Sequence, residues 1–60
     1  MTNDELRYRI DQYIHNEKYR RILKRKLIDG ITYEALAEEV DMSSRGVQDI
    51  LRKCKPIIFQ

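Results

Sequence analysis

Apolar residues recur along the chain at helical spacing, and polar punctuation divides them into four blocks. Leu6, Ile10, Tyr13 and Ile14 fall three and four positions apart, the interval that lines one side of an α-helix. Thr-Asn-Asp-Glu at residues 2–5 fits a capping box, in which Thr2 accepts from the backbone of Glu5 and Glu5 reaches back. Met1 and Leu6 occupy the positions of a hydrophobic staple. These signals predict a helix over residues 3–15. Asn16 suits the N-cap of a second helix, with Glu17 beside its positive dipole end. Tyr19, Ile22, Leu23 and Leu27 form its apolar stripe, and Gly30 is placed to supply a left-handed C-cap. This predicts a helix over residues 17–29. Ile-His-Asn-Glu-Lys at residues 14–18 contains neither glycine nor proline, so the pattern alone also allows the first two helices to run on as one.

The second half is punctuated more tightly. Thr32 can cap a helix whose first turn holds Glu34 and onto which Ile31 can staple against Leu36. Tyr33, Leu36, Ala37 and Val40 fall at i, i+3, i+4 and i+7, one clean face, and predict a helix over residues 33–40. Ser43 is a strong N-cap for a last helix over residues 43–54, in which Val47, Ile50, Leu51 and Cys54 repeat that spacing. Pro56 is expected to stop it, because proline lacks the N–H that continuation needs. Residues 56–60 are then an apolar tail. With no segment of period-two alternation, the expected fold is all-α, a small three- to four-helix bundle.

Two short helices with matched apolar faces and a three-residue connection must cross steeply, so residues 33–54 predict a helix-turn-helix. Ala37 is small where the two helices approach. Asp41 takes the left-handed turn conformation, which glycine favours and Asp or Asn tolerates. Met42 points back as a plug, and Leu36, Val40, Val47 and Ile50 seal the unit onto the first two helices.

Length narrows the functional classes. Sixty residues make one domain, 1–60, and a chain this short buries only about 60% of the surface its unfolded form exposes. That disfavours a deep catalytic cavity and favours a surface that works by shape and charge. No Ser-His-Asp set, paired-carboxylate site or glycine-rich phosphate loop is present, so the chain is not expected to be an enzyme. The single cysteine, Cys54, leaves no partner for an intramolecular disulfide and no cysteine-based metal cluster. It is expected in the core, and His15 stands without a second ligand at metal spacing. No cofactor and no metal are expected. Tyr8, Tyr13, Tyr19 and Tyr33 are expected in the core or at its edge. Without an apolar run near 18 residues, or the apolar stretch of a signal peptide, a cytoplasmic protein with no membrane partner is expected.

Charge is segregated although the net is only +2. Residues 18–26 hold six cations and no anion, and residues 33–41 hold four anions and no cation. Such a layout can give one face a positive field while the total stays near neutral. Arg20, Arg21, Lys24 and Arg25 are expected mainly as a solvated face balancing Glu34, Glu38 and Glu39, with a role in holding a nucleic-acid backbone as the alternative.

The stretch DGITYEALAEEVDMSSRGVQDILRKC resembles the helix-turn-helix of bacterial sigma-factor region 4 and of small phage or transposon regulators built on that module. The resemblance extends over roughly residues 17–54. It rests on the small residue, the turn, the sealing apolar positions and the Gly-Ile-Thr-Tyr lead-in. Asp41 stands where the family usually has glycine, at a cost of about 1 kcal/mol. Gly46 stands where a helix former or threonine is usual, at about 0.5–1 kcal/mol, and could let the backbone approach a phosphate. The chain has no room for the part of a sigma factor that engages polymerase. The resemblance therefore implies a DNA-binding module and not a sigma factor.

In such a module the last helix enters the major groove N-terminal end first. Its outward face is Arg45, Gln48, Asp49 and Arg52. Family position and helix geometry together imply Ser44, Arg45, Gln48 and Asp49 as base readers. Arg45 suits guanine O6 and N7, Gln48 adenine, and Asp49 the cytosine amino group. Arg52, Lys53 and Lys55, with Ser43 and Thr32 at helix N-termini, suit phosphates. The plain alternative is a solvated face in which Arg45 pairs with Asp49. Ile57, Ile58 and Phe59 either fold back over the first helix or form a dimer contact. Dimerisation is favoured, because one module buries only about 600–1,000 Å² against DNA and two copies one DNA turn apart bind better. The expectation is a sequence-specific double-stranded DNA-binding protein, a regulator of transcription from a bacterium, phage or mobile element, acting as a homodimer. The rival is a protein-interaction module that binds RNA polymerase or another regulator through Glu34, Glu38 and Glu39 or through the tail.

Overall fold

Each helix begins at a side chain that the sequence marks as a cap. In the computed structural model, which describes residues 2–59, the helices are α1 (Asn3–Tyr13), α2 (Glu17–Leu27), α3 (Tyr33–Glu39) and α4 (Ser44–Ile58). Thr2 accepts from the Glu5 N–H at 3.2 Å, Asn16 from Lys18 and Tyr19 at 2.9 and 3.2 Å, Thr32 from Ala35 at 3.1 Å, and Ser43 from Gly46 at 3.1 Å. Each such cap contributes about 1 kcal/mol. Met1, half of the expected staple with Leu6, lies outside the described residues.

α1 and α2 are separate although neither glycine nor proline divides them. Arg20 closes the end of α1 from outside: its Nη2 donates to the Asp11 carbonyl at 2.8 Å and its Nε to the Ile14 carbonyl. These are orphan acceptors that a terminating helix must satisfy. The same guanidinium pairs with Glu17 at 3.0 Å in the first turn of α2. At the other end of α2 the chain turns through Gly30 at φ 72°, the left-handed region glycine enters without steric cost. Lys26 fastens this turn, with its Nζ 2.9 Å from the Ile31 carbonyl and 4.2 Å from the centre of the Tyr33 ring.

One core joins all four helices. Leu6, Ile10 and Ile14 meet Ile22 and Leu23 of α2, Leu36, Ala37 and Val40 of the α3 segment, and Val47, Ile50, Leu51, Cys54 and Ile58 of α4. Fully burying a side chain of this kind contributes about 1.5–3 kcal/mol. No polar or charged side chain of the described residues is buried with them. Cys54 is a packed core residue, and burial pushes its thiol pKa up.

Two expectations are corrected. α4 does not end before Pro56; proline sits inside the helix, which continues to Ile58. Ile58 extends the series Val47, Ile50, Leu51, Cys54 by four and is fully buried, and Arg9 Nη1 donates to its carbonyl at 3.1 Å. Proline here removes a single backbone bond from an exposed last turn, and burial of Ile58 offsets that loss. The segment is therefore helix and not tail, and Ile58 is closed off from any dimer contact. Tyr8 and Tyr13, expected in or beside the core, are 65% and 52% exposed. Leu6, Ile10 and Ile14 fill the inward face of the first segment without them, while Tyr19 and Tyr33 do pack against the core. Among the described residues no helix is long and apolar enough to cross a membrane.

Candidate nucleic-acid interface

The turn between α3 and α4 is built by backbone hydrogen bonds around one left-handed residue. Asp41 has φ 57°, and no other non-glycine among the described residues has positive φ. Its N–H donates to the Glu38 carbonyl at 3.3 Å, and the Met42 N–H to the Ala37 carbonyl at 2.8 Å. That pair of bonds is a Schellman closure. It turns the chain within the few residues before Ser43 starts α4. Met42 tucks against the core, and its tip explains Gly46. A Cβ at Gly46 would lie 3.1 Å from Met42 Cε and 3.2 Å from the capping Ser43 Oγ. The glycine gives room to the plug and the cap, an internal reason that sequence inspection did not find.

With Val47, Ile50, Leu51 and Cys54 buried, the opposite side of α4 faces solvent. Arg45 is exposed and has no ion pair among the described residues. Asp49 lies 3.6 Å from Arg52, not on Arg45, and the side chains are 57% and 78% exposed. The Arg45–Asp49 pair weighed for a merely solvated face is thus not formed. Gln48 is half-buried and donates to the Ser44 hydroxyl at 3.4 Å. Lys53 and Lys55 are exposed. The Thr32 and Ser43 oxygens accept their capping bonds, which leaves both O–H groups to donate outward.

The basic run on α2 behaves differently. Arg25 Nη2 meets Glu39 at 2.9 Å and Nη1 meets Asp29 at 2.8 Å. Arg21 reaches Glu39 at 3.3 Å, and Lys24 reaches Asp11 at 2.8 Å. The hydrogen bond from Arg25 above all, with help from Arg21, holds the Glu39 carboxyl below its ordinary pKa, outweighing the opposing effect of desolvation. The Lys24 hydrogen bond does the same for Asp11. Glu39 is the one of the three expected acids, Glu34, Glu38 and Glu39, that takes up this balance. The cations of α2 are largely neutralised within the molecule, whereas those of α4 are left outward.

A shallow groove beside that face escaped the sequence. Tyr33 forms one wall, and Gln48, Leu51, Arg52, Lys55, Pro56 and Phe59 form the rest. Its aromatic side depends on α4 continuing through Pro56, the step that the proline rule concealed. No cluster of three His, Cys, Asp or Glu side chains placed to hold a metal ion occurs among the described residues.

No protein-family model, curated protein or solved structure matches the chain.

Proposed function

We propose that this chain binds double-stranded DNA sequence-specifically through α4 and regulates transcription in a bacterium, a phage or a mobile element. What supports this above all is the turn at Asp41: it sets α4 against α3 so that Ser44, Arg45, Gln48 and Asp49 share an outward face at the N-terminal end of the helix. In that role the Arg45 guanidinium donates to guanine O6 and N7, and Gln48 pairs with adenine. Asp49 accepts from a cytosine amino group, with Arg52 close enough to temper its repulsion from phosphate. Arg52 and Lys53 hold the phosphate backbone, joined by Lys55 at the far end of the helix and by the Ser43 and Thr32 hydroxyls. The paired cations of α2 take no part.

The experiment is a titration of duplex DNA over a range of salt. Three cations at phosphates, at about 0.9 per contact, give a slope of log K against log salt of about −2.7. A flat response excludes the proposal.

A further inference from the structure

The groove beside α4 shares two side chains with the outward face of that helix. Gln48 and Arg52 belong to both, Tyr33 forms the opposite wall, and Lys55, Pro56 and Phe59 continue it towards the end of α4. Tyr33 is a fixed wall: its ring packs against the core, and the Lys26 Nζ lies 4.2 Å from the ring centre. Pro56 and Phe59, the latter 49% exposed, make one part of the lining apolar. No carboxylate lines the groove. Asp49, outside the lining, shares Arg52 at 3.6 Å. Lys55, exposed and in no ion pair among the described residues, keeps its whole charge for a ligand.

We propose that this groove holds one sugar–phosphate strand of duplex DNA, with Phe59 against deoxyribose and with Lys55 and the Tyr33 hydroxyl on a phosphate. The inference rests on the DNA reading and adds to it two contact residues, Tyr33 and Phe59, and a path for the strand. A nucleic-acid strand is anionic along its phosphates and partly apolar on its sugars, which matches a groove that is cationic and apolar. The helix supplies the registration. Gln48 and Lys55 are separated by about 10 Å along α4, and the major groove is about 12 Å wide. When Gln48 reaches a base edge, the groove beyond it therefore meets a flanking strand. An acidic peptide offers similar charge but no such registration. Contacts to the backbone position a protein without reading sequence, so this groove adds the same affinity on every duplex.

The test is titration of the whole chain with two short duplexes, one carrying the motif that the chain selects from random DNA and one with that motif scrambled. Phe59→Ala weakens binding to both by about tenfold, through lost apolar burial, and leaves the salt slope unchanged. Tyr33→Phe, which keeps the ring, weakens both about three- to tenfold. Lys55→Gln weakens both and moves the slope about 0.9 towards zero. Neutral methylphosphonates placed singly along each strand locate the contact: one phosphate beside the motif matters to the wild type and not to Lys55→Gln. Melting temperatures close to that of the wild type accompany these losses, since Phe59 and Lys55 are exposed and Tyr33→Phe preserves the packing. Undiminished affinity in Phe59→Ala and Tyr33→Phe, while Arg45→Ala loses preference at a base pair, overturns the inference and leaves the DNA reading standing. A wild type that binds neither duplex overturns both. Affinity lost on the motif alone assigns the groove to base reading, and a lower sedimented mass of Phe59→Ala at undiminished DNA affinity assigns it to a second copy; each overturns the inference.

Discussion

Arg25 and Glu39, fourteen positions apart, meet at 2.9 Å between α2 and the end of α3. Arg21 joins them on the same carboxylate. Glu39 thus ties the basic helix to the helix-turn-helix, and it neutralises two surface cations while doing so.

Glu39→Gln is expected to lower the melting temperature at neutral pH. Because the folded-state pKa of Glu39 is depressed, its stabilising contribution is present above its ordinary value of 4.5 and fades as pH falls through the lower folded value. Asp11, held down by Lys24, has the same sign. Wild type and variant should therefore differ most near neutrality and converge in acid. Thermal melts of both chains across that interval check this; a constant difference at every pH contradicts it.

Asp41→Gly is expected to stabilise by about 0.5–1 kcal/mol, relieving the left-handed strain at φ 57°. In a domain of this size that is a rise in melting temperature of about 2–8 °C. Asp41→Val should cost about 1–2 kcal/mol, since a branched side chain tolerates this conformation worst. Chemical denaturation of the two variants measures both, and equal midpoints would show that the turn is not strained.

Ile58→Ala should destabilise by about 2–5 kcal/mol, as a fully buried branched side chain does. Ile57→Ala should fall within about 0.5 kcal/mol of the wild type, measured at concentrations where the chain is monomeric. Pro56→Ala should stabilise by about 1–3 kcal/mol by restoring a helical N–H. Urea midpoints for the three variants decide whether the last turn of α4 belongs to the fold.

These variants mark where sequence was legible and where it was not. Thr2, Asn16, Thr32 and Ser43 were legible as caps because a cap is local: its hydroxyl or amide reaches a backbone N–H two or three residues on. Asp41 was legible for the same reason. Pro56 misled because a local rule opposed a tertiary gain. The i+4 step from Cys54 to Ile58 carried the correct signal, but only a core waiting for Ile58 makes it prevail. Tyr8 and Tyr13 misled because tyrosine is compatible with both an inward and an outward face. Arg20 closing α1, Glu39 gathering Arg21 and Arg25, and Met42 claiming the space over Gly46 all join side chains whose proximity exists only once the helices have packed. Of the candidate interface, the outward face of α4 was legible from its apolar complement. The pairing of Asp49 with Arg52 rather than Arg45 was not, since i+3 and i+4 partners are equally close on a helix.

The most direct test of the central claim is selection from random DNA duplexes, run with the wild type and with Arg45→Ala. If α4 reads bases, the wild type enriches one short motif. The variant then binds it about 1–3 kcal/mol more weakly and loses preference at a single base pair. Recovery of no motif by the wild type, or of the same motif with undiminished preference by the variant, contradicts the account.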